Sequence, residues 1–330
     1  MRLSEKDIIQ IKEKNLCEED IKKQVDNFKH GFPYLSIKKA ATTDSGIIKL
    51  SKKAIKKHIE HFENSEKEIL KFVPASGAAS RMFKFLFEYL TKDKTSKELE
   101  KFFTNIHKFA FYKDLKTILR ANGKNIEDLL SQKQYSEILK FLLTPTGLNY
   151  GNLPKGLLKF HNYENHDRTS LEEHLVEGAN YAKCSNSTSK IHLTVSEVHK
   201  DMFRALINKV KNKYENEYQV KYNIEFSQQK PSTDIVAVDI NNNLFRNKDN
   251  TLYFRPGGHG ALIENLNDIN ADIIFIKNID NVIPDKYKEE TYKYKKALAG
   301  ILLEYQKTIF DYIEKLNNSA DIKIAELEKF

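Results

Sequence analysis

Apolar residues recur at helical spacing near the start of the chain and form short continuous runs further along. In residues 3–30, apolar side chains stand three or four positions apart with charged residues between them, which predicts an amphipathic helix that ends at Gly31. The apolar run at 69–75 is typical of a buried strand, and a turn of small residues leads from it into a predicted helix at 83–90. A strand, a small-residue turn and a helix make up half of a nucleotide-binding βαβ unit.

Helical periodicity dominates the next stretch, and alternating strands and helices follow it. Residues 84–152 are mostly amphipathic, notably at 98–110, 114–121 and 135–143, and carry little strand signal, which predicts a helical insertion. The later segments predict a mainly parallel sheet flanked by helices, because strands alternate with helices: strands at 190–195, 220–226, 234–238 and 272–278, and helices at 170–183, 196–214 and 287–316. The pattern divides the chain into an N-terminal helical segment (1–65), an α/β domain (66–285) and a C-terminal helical segment (286–330).

Composition sets limits on the class of protein. The 330 residues include 54 Lys and Arg against 46 Asp and Glu, and this formal charge of +8 is interspersed along the predicted helices. Interspersed charge is typical of solvated helical faces, so a nucleic-acid partner is the less favoured interpretation. No apolar run approaches the roughly 18 residues of a membrane span, the N-terminus has no apolar signal core, and Cys17 and Cys184 lack partner spacing. These features predict a cytoplasmic protein without a membrane partner.

The turn after the first predicted strand is a candidate for phosphate binding. It consists of Ser76, Gly77, Ala78, Ala79, Ser80 and Arg81, so several backbone N–H groups stand together at the start of a helix. That geometry favours a phosphate, and the guanidinium of Arg81 adds a planar set of donors for a phosphoryl group. The alternative is a tight turn that lets the helix pack close to its strand, since the turn matches neither the Walker A nor the Gly-x-Gly-x-x-Gly pattern.

A carboxylate follows the last apolar run. Residues 273–276 are typical of a fully buried strand, and Asp280 comes shortly after it between two asparagines. Doubly wound sheets bind their ligands outside the carboxyl ends of such strands, and a single Asp there suits a Mg²⁺ ion that also contacts substrate phosphates. Asp272 and Asp285 are candidates for a second ligand.

Three further segments carry polar groups at predicted turns. Lys155 follows a proline that fixes the backbone before it. Gln228 follows a predicted strand, and its amide has the donor and the acceptor that bind a base edge. The turn of Gly258, His259 and Gly260 offers bare backbone to a flat or anionic ligand. Each segment also has a purely structural interpretation, and no Ser or Cys nucleophile is paired with His259.

In this order the segments resemble the motifs of the sugar nucleotidyltransferases. The phosphate loop of that family, Gly-Gly-x-Gly-Thr-Arg, is similar to residues 76–81, and its Pro-Lys and Pro-Leu-x-Glu motifs are similar to 154–155 and 170–173. The branch that makes UDP-sugars has Phe-x-Gln, Gly-His-Gly and Asn-x-Asp-Asn segments that are similar to 226–228, 258–260 and 278–281. The segments also resemble an uncharacterised bacterial family, a domain of unknown function allied to that superfamily.

The resemblance implies a fold and a reaction. The fold would be glycosyltransferase-A-like, with a mixed, mainly parallel sheet flanked by helices, a helical insertion and helical ends. The reaction would be Mg²⁺-dependent: a sugar 1-phosphate attacks the α-phosphate of UTP, and pyrophosphate leaves. On this hypothesis residues 76–80 bind the triphosphate, Arg81 and Lys155 are catalytic, Asp280 binds the metal, and Gln228 with residues 258–260 faces the base.

The chain departs from the superfamily pattern at three places, which leaves two other hypotheses open. Ser76 and Ala79 stand where the family loop has glycines, and the insertion between Arg81 and Lys155 is long. Residues 286–330 match no later segment with a second metal-binding aspartate, so this part is expected to be truncated relative to the superfamily. The second hypothesis is a non-catalytic or regulatory nucleotide-binding or nucleotide-sugar-binding protein, and the third is an interaction protein that binds nucleic acid through its basic helices.

Overall fold

The chain folds into a mixed arrangement of helices and strands, and the computed structural model describes residues 3–43, 45–92, 94–318 and 322–330. The strands are β1 (Ile69–Pro74), β2 (Lys159–Asn162), β3 (Asp167–Thr169), β4 (Thr188–Thr194), β5 (Lys221–Ser227), β6 (Ile235–Val236), β7 (Phe254–Arg255) and β8 (Ile273–Ile276). The helices are α1 (Glu5–Glu13), α2 (Glu18–His30), α3 (Lys52–Glu63), α4 (Lys84–Lys92), α5 (Lys97–Thr104), α6 (Tyr112–Ala121), α7 (Ile126–Ser131), α8 (Tyr135–Leu143), α9 (Ser170–Tyr181), α10 (Glu197–Tyr218), α11 (Ile263–Asn267), α12 (Asp285–Asn317) and α13 (Ile324–Lys329).

Four strands form one parallel sheet in the order β5–β4–β1–β8. The chain therefore moves outward from β1 through β4 to β5 and then crosses to the other side of β1. All four strands end at the same edge, and the direction of winding changes between β1 and β8. In open α/β sheets the ligand crevice lies at such a switch point, outside the carboxyl ends of the strands.

Helices and apolar side chains cover both faces of this sheet. On one face, side chains from β1, β4 and β5 pack against α9 and α10, and side chains from β8 pack against α3 and α12. On the other face Leu70 and Phe72 of β1 pack with Leu262, just before α11. Successive residues of a strand point to opposite faces, so burial on both sides explains why the whole of β1 is apolar except for Lys71.

Helices α4 to α8 bury an apolar cluster of their own. The fully buried members include Leu86, Leu115, Leu119, Ile138 and Leu142. Two of these helices, α6 and α8, correspond to the helices predicted at 114–121 and 135–143. Their apolar residues made them predictable, because α6 buries one face at helical spacing and α8 has a longer apolar run.

Two predicted elements differ from the structure. The single helix predicted at 3–30 is divided into α1 and α2, and Asn15 between them has a positive φ of 56° that a helix interior does not accommodate. The strand predicted at 234–238 is the two-residue β6, which pairs antiparallel with β7 and does not join the parallel sheet. Val236 is buried there against α1 and α2, so its apolar character reflects contact with the N-terminal helices.

The antiparallel pair β2–β3 has no counterpart in the predicted elements. Its residues are mostly polar, so neither an apolar run nor a clean alternation marks it in the sequence. None of the helices that the structure describes combines the length and the apolarity needed to cross a membrane.

Candidate functional site

The loop that follows β1 lies against the segment of Lys155. The backbone N–H of Lys155 donates to the carbonyl of Gly77 at 3.1 Å, and Ala78 forms an isolated antiparallel bridge with Pro154. The structure thus brings two of the predicted segments together, although some seventy residues of helical insertion separate them in sequence.

Asp280 joins these segments at the carboxyl edge of the sheet. The N–H of Ile279 donates to the carbonyl of Pro74 at 3.1 Å, so the chain after β8 continues beside the end of β1. The Nζ of Lys155 then donates to Oδ2 of Asp280 at 2.5 Å, and their side chains are 23% and 37% exposed. The ion pair lies at the switch point between β1 and β8, where its partners remain accessible to a ligand.

The ion pair sets the protonation state of Asp280. Burial raises the pKa of this carboxyl, but the hydrogen bond and the charge of Lys155 outweigh burial and hold the pKa below its ordinary value. His259 makes a smaller contribution in the same direction. At neutral pH the edge therefore carries an ionised carboxylate beside a lysine ammonium.

Several backbone N–H groups of the loop are free to bind an anion. In the part of the chain that the structure describes, no acceptor takes the N–H of Ser76, Gly77, Ser80 or Arg81, whereas the next two residues close a turn on the carbonyl of Ala79. Free N–H groups in an exposed loop that enters a helix are a common binding site for anions.

The side chains of this loop differ in their surroundings. The guanidinium of Arg81 is exposed, and no described residue forms a hydrogen bond or an ion pair with it. A Cβ added to Gly77 would have no heavy atom within 4 Å, so the space beside this residue is open. Ala79 is 1% exposed, and its methyl packs into the cluster of α4–α8. The loop thus presents Arg81 and open backbone to solvent, while Ala79 anchors it.

Gln228 lies at the other end of the same edge, just after β5. Its side chain is exposed, and Nδ2 of the buried Asn265 fixes the backbone by donating to the carbonyl of Gln228 at 2.8 Å and to Oγ of Ser227 at 2.9 Å. Neighbouring strands lie about 4.8 Å apart, and three such steps place the end of β5 about 14 Å from the end of β8.

The glycine turn packs against the segment that follows β5. Gly257 packs so tightly that an added Cβ would lie 2.6 Å from the carbonyl oxygen of Thr233 and 3.4 Å from the amide nitrogen of Gln229. Gly258 and Gly260 have open space at their Cβ positions, and His259 between them is exposed. Gly257 therefore anchors the turn near the end of β5, and His259 is the member of the turn that influences Asp280.

The buried helix α9 fixes the backbone just before Asp280. The hydroxyl of Ser170 and the Nε2 of His174 both hydrogen-bond to the carbonyl of Ile279, the latter at 3.1 Å. Burial lowers the pKa of His174 well below its ordinary value, so its imidazole is neutral and Nε2–H is the donor. Ser170 begins the segment that resembles Pro-Leu-x-Glu, and its role here is to position the backbone.

A buried ionic cluster lies between α9 and the sheet. Glu177 accepts hydrogen bonds from Nζ of Lys71 at 2.9 Å, from Nζ of Lys277 at 2.6 Å and from the hydroxyl of Tyr181 at 3.2 Å. Burial lowers the pKa of Lys71 to about 8, although the charge of Glu177 opposes this shift. Burial also raises the pKa of Glu177, but the charges of its partners outweigh this effect and hold it low.

A second cluster joins α9 to the start of α12. Its centre is Glu173, which accepts hydrogen bonds from Nδ1 of His161 at 2.8 Å, the hydroxyl of Tyr163 at 2.7 Å, Nη1 of Arg168 at 3.4 Å and Nζ of Lys288. Arg168 and Lys288 also bind Asp285, at 2.7 and 2.9 Å. The carboxylate of Asp285 is therefore engaged, which disfavours it as a second metal ligand.

Asp272 is not at the site. It precedes β8 and thus lies at the amino edge of the sheet, where its carboxylate accepts the N–H of Glu68 at 2.8 Å. Within the described residues no group of three His, Cys, Asp or Glu side chains is arranged to bind a metal ion. Mg²⁺ in phosphoryl-transfer sites needs only one or two carboxylates, because water and phosphates supply its other ligands. Asp280 fits the role of that single carboxylate.

The sequence analysis missed the residues of α9 that support the site. One signal was present, since Lys71 is the only charged residue in the apolar run 69–75, and a lysine in a buried strand requires a buried acid. Helix α9 carries Glu172, Glu173 and Glu177 among apolar residues without a clean polar face, which was a second signal. Both features indicate an ionic core, although the pairing itself depends on the fold.

Comparison with known proteins identifies a family of unknown function. A family model described as Domain of unknown function (DUF4301) matches residues 4–330. Neither the curated proteins nor the solved structures include a match to this chain. The comparisons thus agree with the resemblance to a domain of unknown function, and they give no link to the sugar nucleotidyltransferases.

Proposed function

We propose that this chain, which belongs to the family of unknown function DUF4301, is a nucleotidyltransferase that joins a sugar 1-phosphate to UTP and releases pyrophosphate. One observation carries the proposal: a loop with free N–H groups, a lysine and an ionised aspartate converge at the switch point of a parallel sheet. Loops of this kind bind phosphates, and switch points of α/β sheets bind nucleotides.

The charges at this edge suit a triphosphate and its displacement. The N–H groups of residues 76–81 would bind the β- and γ-phosphates, and Arg81 would neutralise the charge of the leaving pyrophosphate. Lys155 would contact the α-phosphate and the incoming sugar phosphate. The attacking phosphate is already anionic and needs no general base, so positioning and charge neutralisation are the main tasks of the protein.

The Lys155–Asp280 pair would rearrange when substrate binds. Phosphate oxygens compete with Asp280 for the ammonium of Lys155, which would free the carboxylate to bind Mg²⁺. The metal would supply charge neutralisation on the phosphates. Because both side chains are partly exposed, this exchange does not bury an unpaired charge.

The width of the edge suits a nucleotide that lies across it. The phosphates would lie at the end of β1, and the base would reach toward Gln228 and the turn 258–260 near the end of β5. A glycosyltransferase-A-like fold belongs to this proposal, and the parallel order β5–β4–β1–β8 supports the mainly parallel part of that expectation. The antiparallel strand of a mixed sheet is not among the strands that the structure describes in this sheet.

The second candidate is a nucleotide-binding protein without catalysis. The observation in its favour is that Lys155 already neutralises Asp280, the carboxylate on which metal binding would depend. Such a protein would bind a nucleotide through the loop and Arg81 and would release no pyrophosphate.

Thermal-shift titration with UTP, ATP, CTP and GTP, each with and without Mg²⁺, tests both candidates. The wild type should show a UTP-selective, Mg²⁺-dependent rise in Tm that Asp280→Ala loses. Asp311→Ala removes an exposed carboxylate that pairs with Lys307 and is the matched control. Pyrophosphate release from UTP with a panel of sugar 1-phosphates then separates the enzyme from the binding protein. If no nucleotide shifts the Tm, both candidates are wrong.

A further inference from the structure

A cavity of about 610 Å³ lies beside the helical insertion, and none of the predicted nucleotide-site residues lines it. Its walls include aromatic side chains from the start of α4, from α5, from the α5–α6 connection and from β2, namely Phe83, Phe85, Phe102, Phe109, Phe111 and Phe160. Cavities of this size with mainly apolar walls and a few polar groups typically bind small organic molecules.

One wall of the cavity is a partly exposed aromatic stack. The rings of Phe109 and Phe111 stack with their centroids 5.2 Å apart, and Phe102 lies 5.1 Å from Phe109. Phe109 is nonetheless 39% exposed. Covering such rings with an apolar ligand removes their surface from water, which favours binding.

The polar part of the lining is mainly cationic. Lys101 and Lys108 line the cavity, and Nζ of Lys108 donates to Oδ1 of Asn105 at 2.8 Å. No carboxylate among the described residues forms an ion pair with either lysine. A third lysine, Lys159, already pairs with Asp114 at 2.5 Å and with Asp167 at 3.2 Å. Two lysines without acidic partners therefore remain on the lining, against a single glutamate, Glu98.

We propose that this cavity binds a small amphipathic organic anion. Its apolar or aromatic body would lie among the phenylalanines, and its carboxylate would bind Lys101 and Lys108. A sugar or a free nucleotide fits less well, because its hydroxyl groups would be desolvated against aromatic walls without hydrogen-bond partners. The proposal does not depend on the nucleotidyltransferase function, since the two sites share no residue.

Decanoate is a suitable probe, because it combines an apolar chain with one carboxylate. Isothermal titration calorimetry on the full chain should give saturable binding near one equivalent, well below the concentration at which decanoate forms micelles. Decyltrimethylammonium has an alkyl chain of similar length with the opposite charge and should bind at least severalfold more weakly, because the lysines repel its head group.

Charge variants test the role of the two lysines. The double variant Lys101→Ala with Lys108→Ala should weaken decanoate binding about tenfold, since each partly exposed ion pair contributes up to about 1 kcal/mol and 1.4 kcal/mol is a factor of ten. The matched control, Lys97→Ala with Lys140→Ala, removes two exposed lysines, one from α5 and one from α8, that do not line the cavity, and it should bind as the wild type does.

Photolabelling locates the bound molecule. A decanoate that carries a diazirine in its chain should label peptides from residues 82–85, 98–111 or 150–162 when analysed by mass spectrometry. Helix α12 also exposes apolar residues, among them Leu298, Leu302 and Phe310, and is the main competing surface. Labelling confined to α12 would overturn the proposal, as would the absence of saturable binding or equal decanoate affinity in the two double variants.

Discussion

Two lysine–carboxylate pairs of almost equal length involve residues just beyond the end of β8, and they differ in burial. The buried pair joins Nζ of Lys277 to Glu177 at 2.6 Å, and its side chains are 8% and 0% exposed. The edge pair joins Nζ of Lys155 to Asp280 at 2.5 Å, and its side chains are 23% and 37% exposed.

Burial decides what each pair can do. Water cannot replace a lost partner in the buried pair, so each charge depends on the other. In the edge pair, water or a phosphate can take the place of either partner. The same chemistry thus forms part of the scaffold at Glu177 and a candidate binding site at Asp280.

The largest effect is expected when the buried cluster is broken. Glu177→Ala leaves two buried lysines without a counter-ion and should lower the free energy of unfolding by about 3–5 kcal/mol. Asp280→Ala should lower it by at most about 1 kcal/mol, because an exposed pair contributes little. Urea unfolding followed by circular dichroism measures both. Equal losses in the two variants would remove the distinction between scaffold and site.

Breaking the edge pair should reduce activity and leave stability nearly unchanged. On the proposed function, Lys155→Ala removes a charge that stabilises the transition state, and it should reduce pyrophosphate release by about 10²–10³-fold at nearly unchanged stability. Lys84→Ala, an exposed lysine in the first turn of α4, is the control and should keep wild-type turnover. A Lys155 variant that unfolds while its residual folded fraction turns over normally would make Lys155 part of the scaffold.

Substitutions at two glycines test the same contrast between buried scaffold and exposed site, with smaller expected effects on stability. A Cβ at Gly156 would lie 2.6 Å from the ring of the fully buried Phe203, so Gly156→Ala should cost about 1–3 kcal/mol of stability by overpacking. A Cβ at Gly77 meets nothing within 4 Å, so Gly77→Ala should stay within about 0.5 kcal/mol of wild type. On the proposed function it should still weaken nucleotide binding, because the methyl narrows the approach to the backbone. The Tm of each variant, with and without UTP, checks both expectations, and a destabilised Gly77→Ala protein would contradict them.

The smallest effect concerns pH and the neutral His174. Its pKa lies well below 6.5 in the folded state because of burial, so the unfolded chain takes up a proton near that pH and the folded chain does not. The unfolded state then binds more protons, and stability present above about pH 6.5 is lost as the pH falls, by up to roughly 1.4 kcal/mol per pH unit. His174→Gln should flatten this part of the profile, as measured by urea midpoints at pH 7.5, 6.5 and 5.5. An unchanged slope would show that other groups cause the loss.

Much of the fold could be predicted from the spacing of apolar residues. Helices α6 and α8 and the strands β1, β4 and β5 follow strong local patterns, and strand–helix alternation led to the parallel sheet. The hairpin β2–β3 could not be predicted, because its polar residues are held by contacts with α9 and not by a pattern of their own. The strand at 234–238 was placed in the wrong sheet, since local pattern does not show which surface buries an apolar residue.

Some features of the candidate site could likewise be predicted from the sequence, and others could not. Asp280, Lys155, Arg81 and the loop 76–81 were predicted as binding residues, and the fold brings Asp280, Lys155 and the first half of the loop to one edge. The pairing of Lys155 with Asp280 was not predicted, because the two residues are 125 positions apart. The roles of Ser170 and His174 depend on contact with Ile279, a residue that carries no polar side chain and gives no signal in the sequence.

The sequence by itself determined which residues can carry charge, where free backbone can occur and which segments become buried strands or helices. These properties are local, because they depend on side-chain chemistry and on spacing within a few turns of the chain. The tertiary structure alone decided that Glu177 is buried between two lysines. It also decided that Asp280, three residues beyond Lys277, pairs with a partly exposed lysine at the edge of the sheet. Burial sets the cost of separating two charges, and burial arises from contacts between segments far apart in the chain.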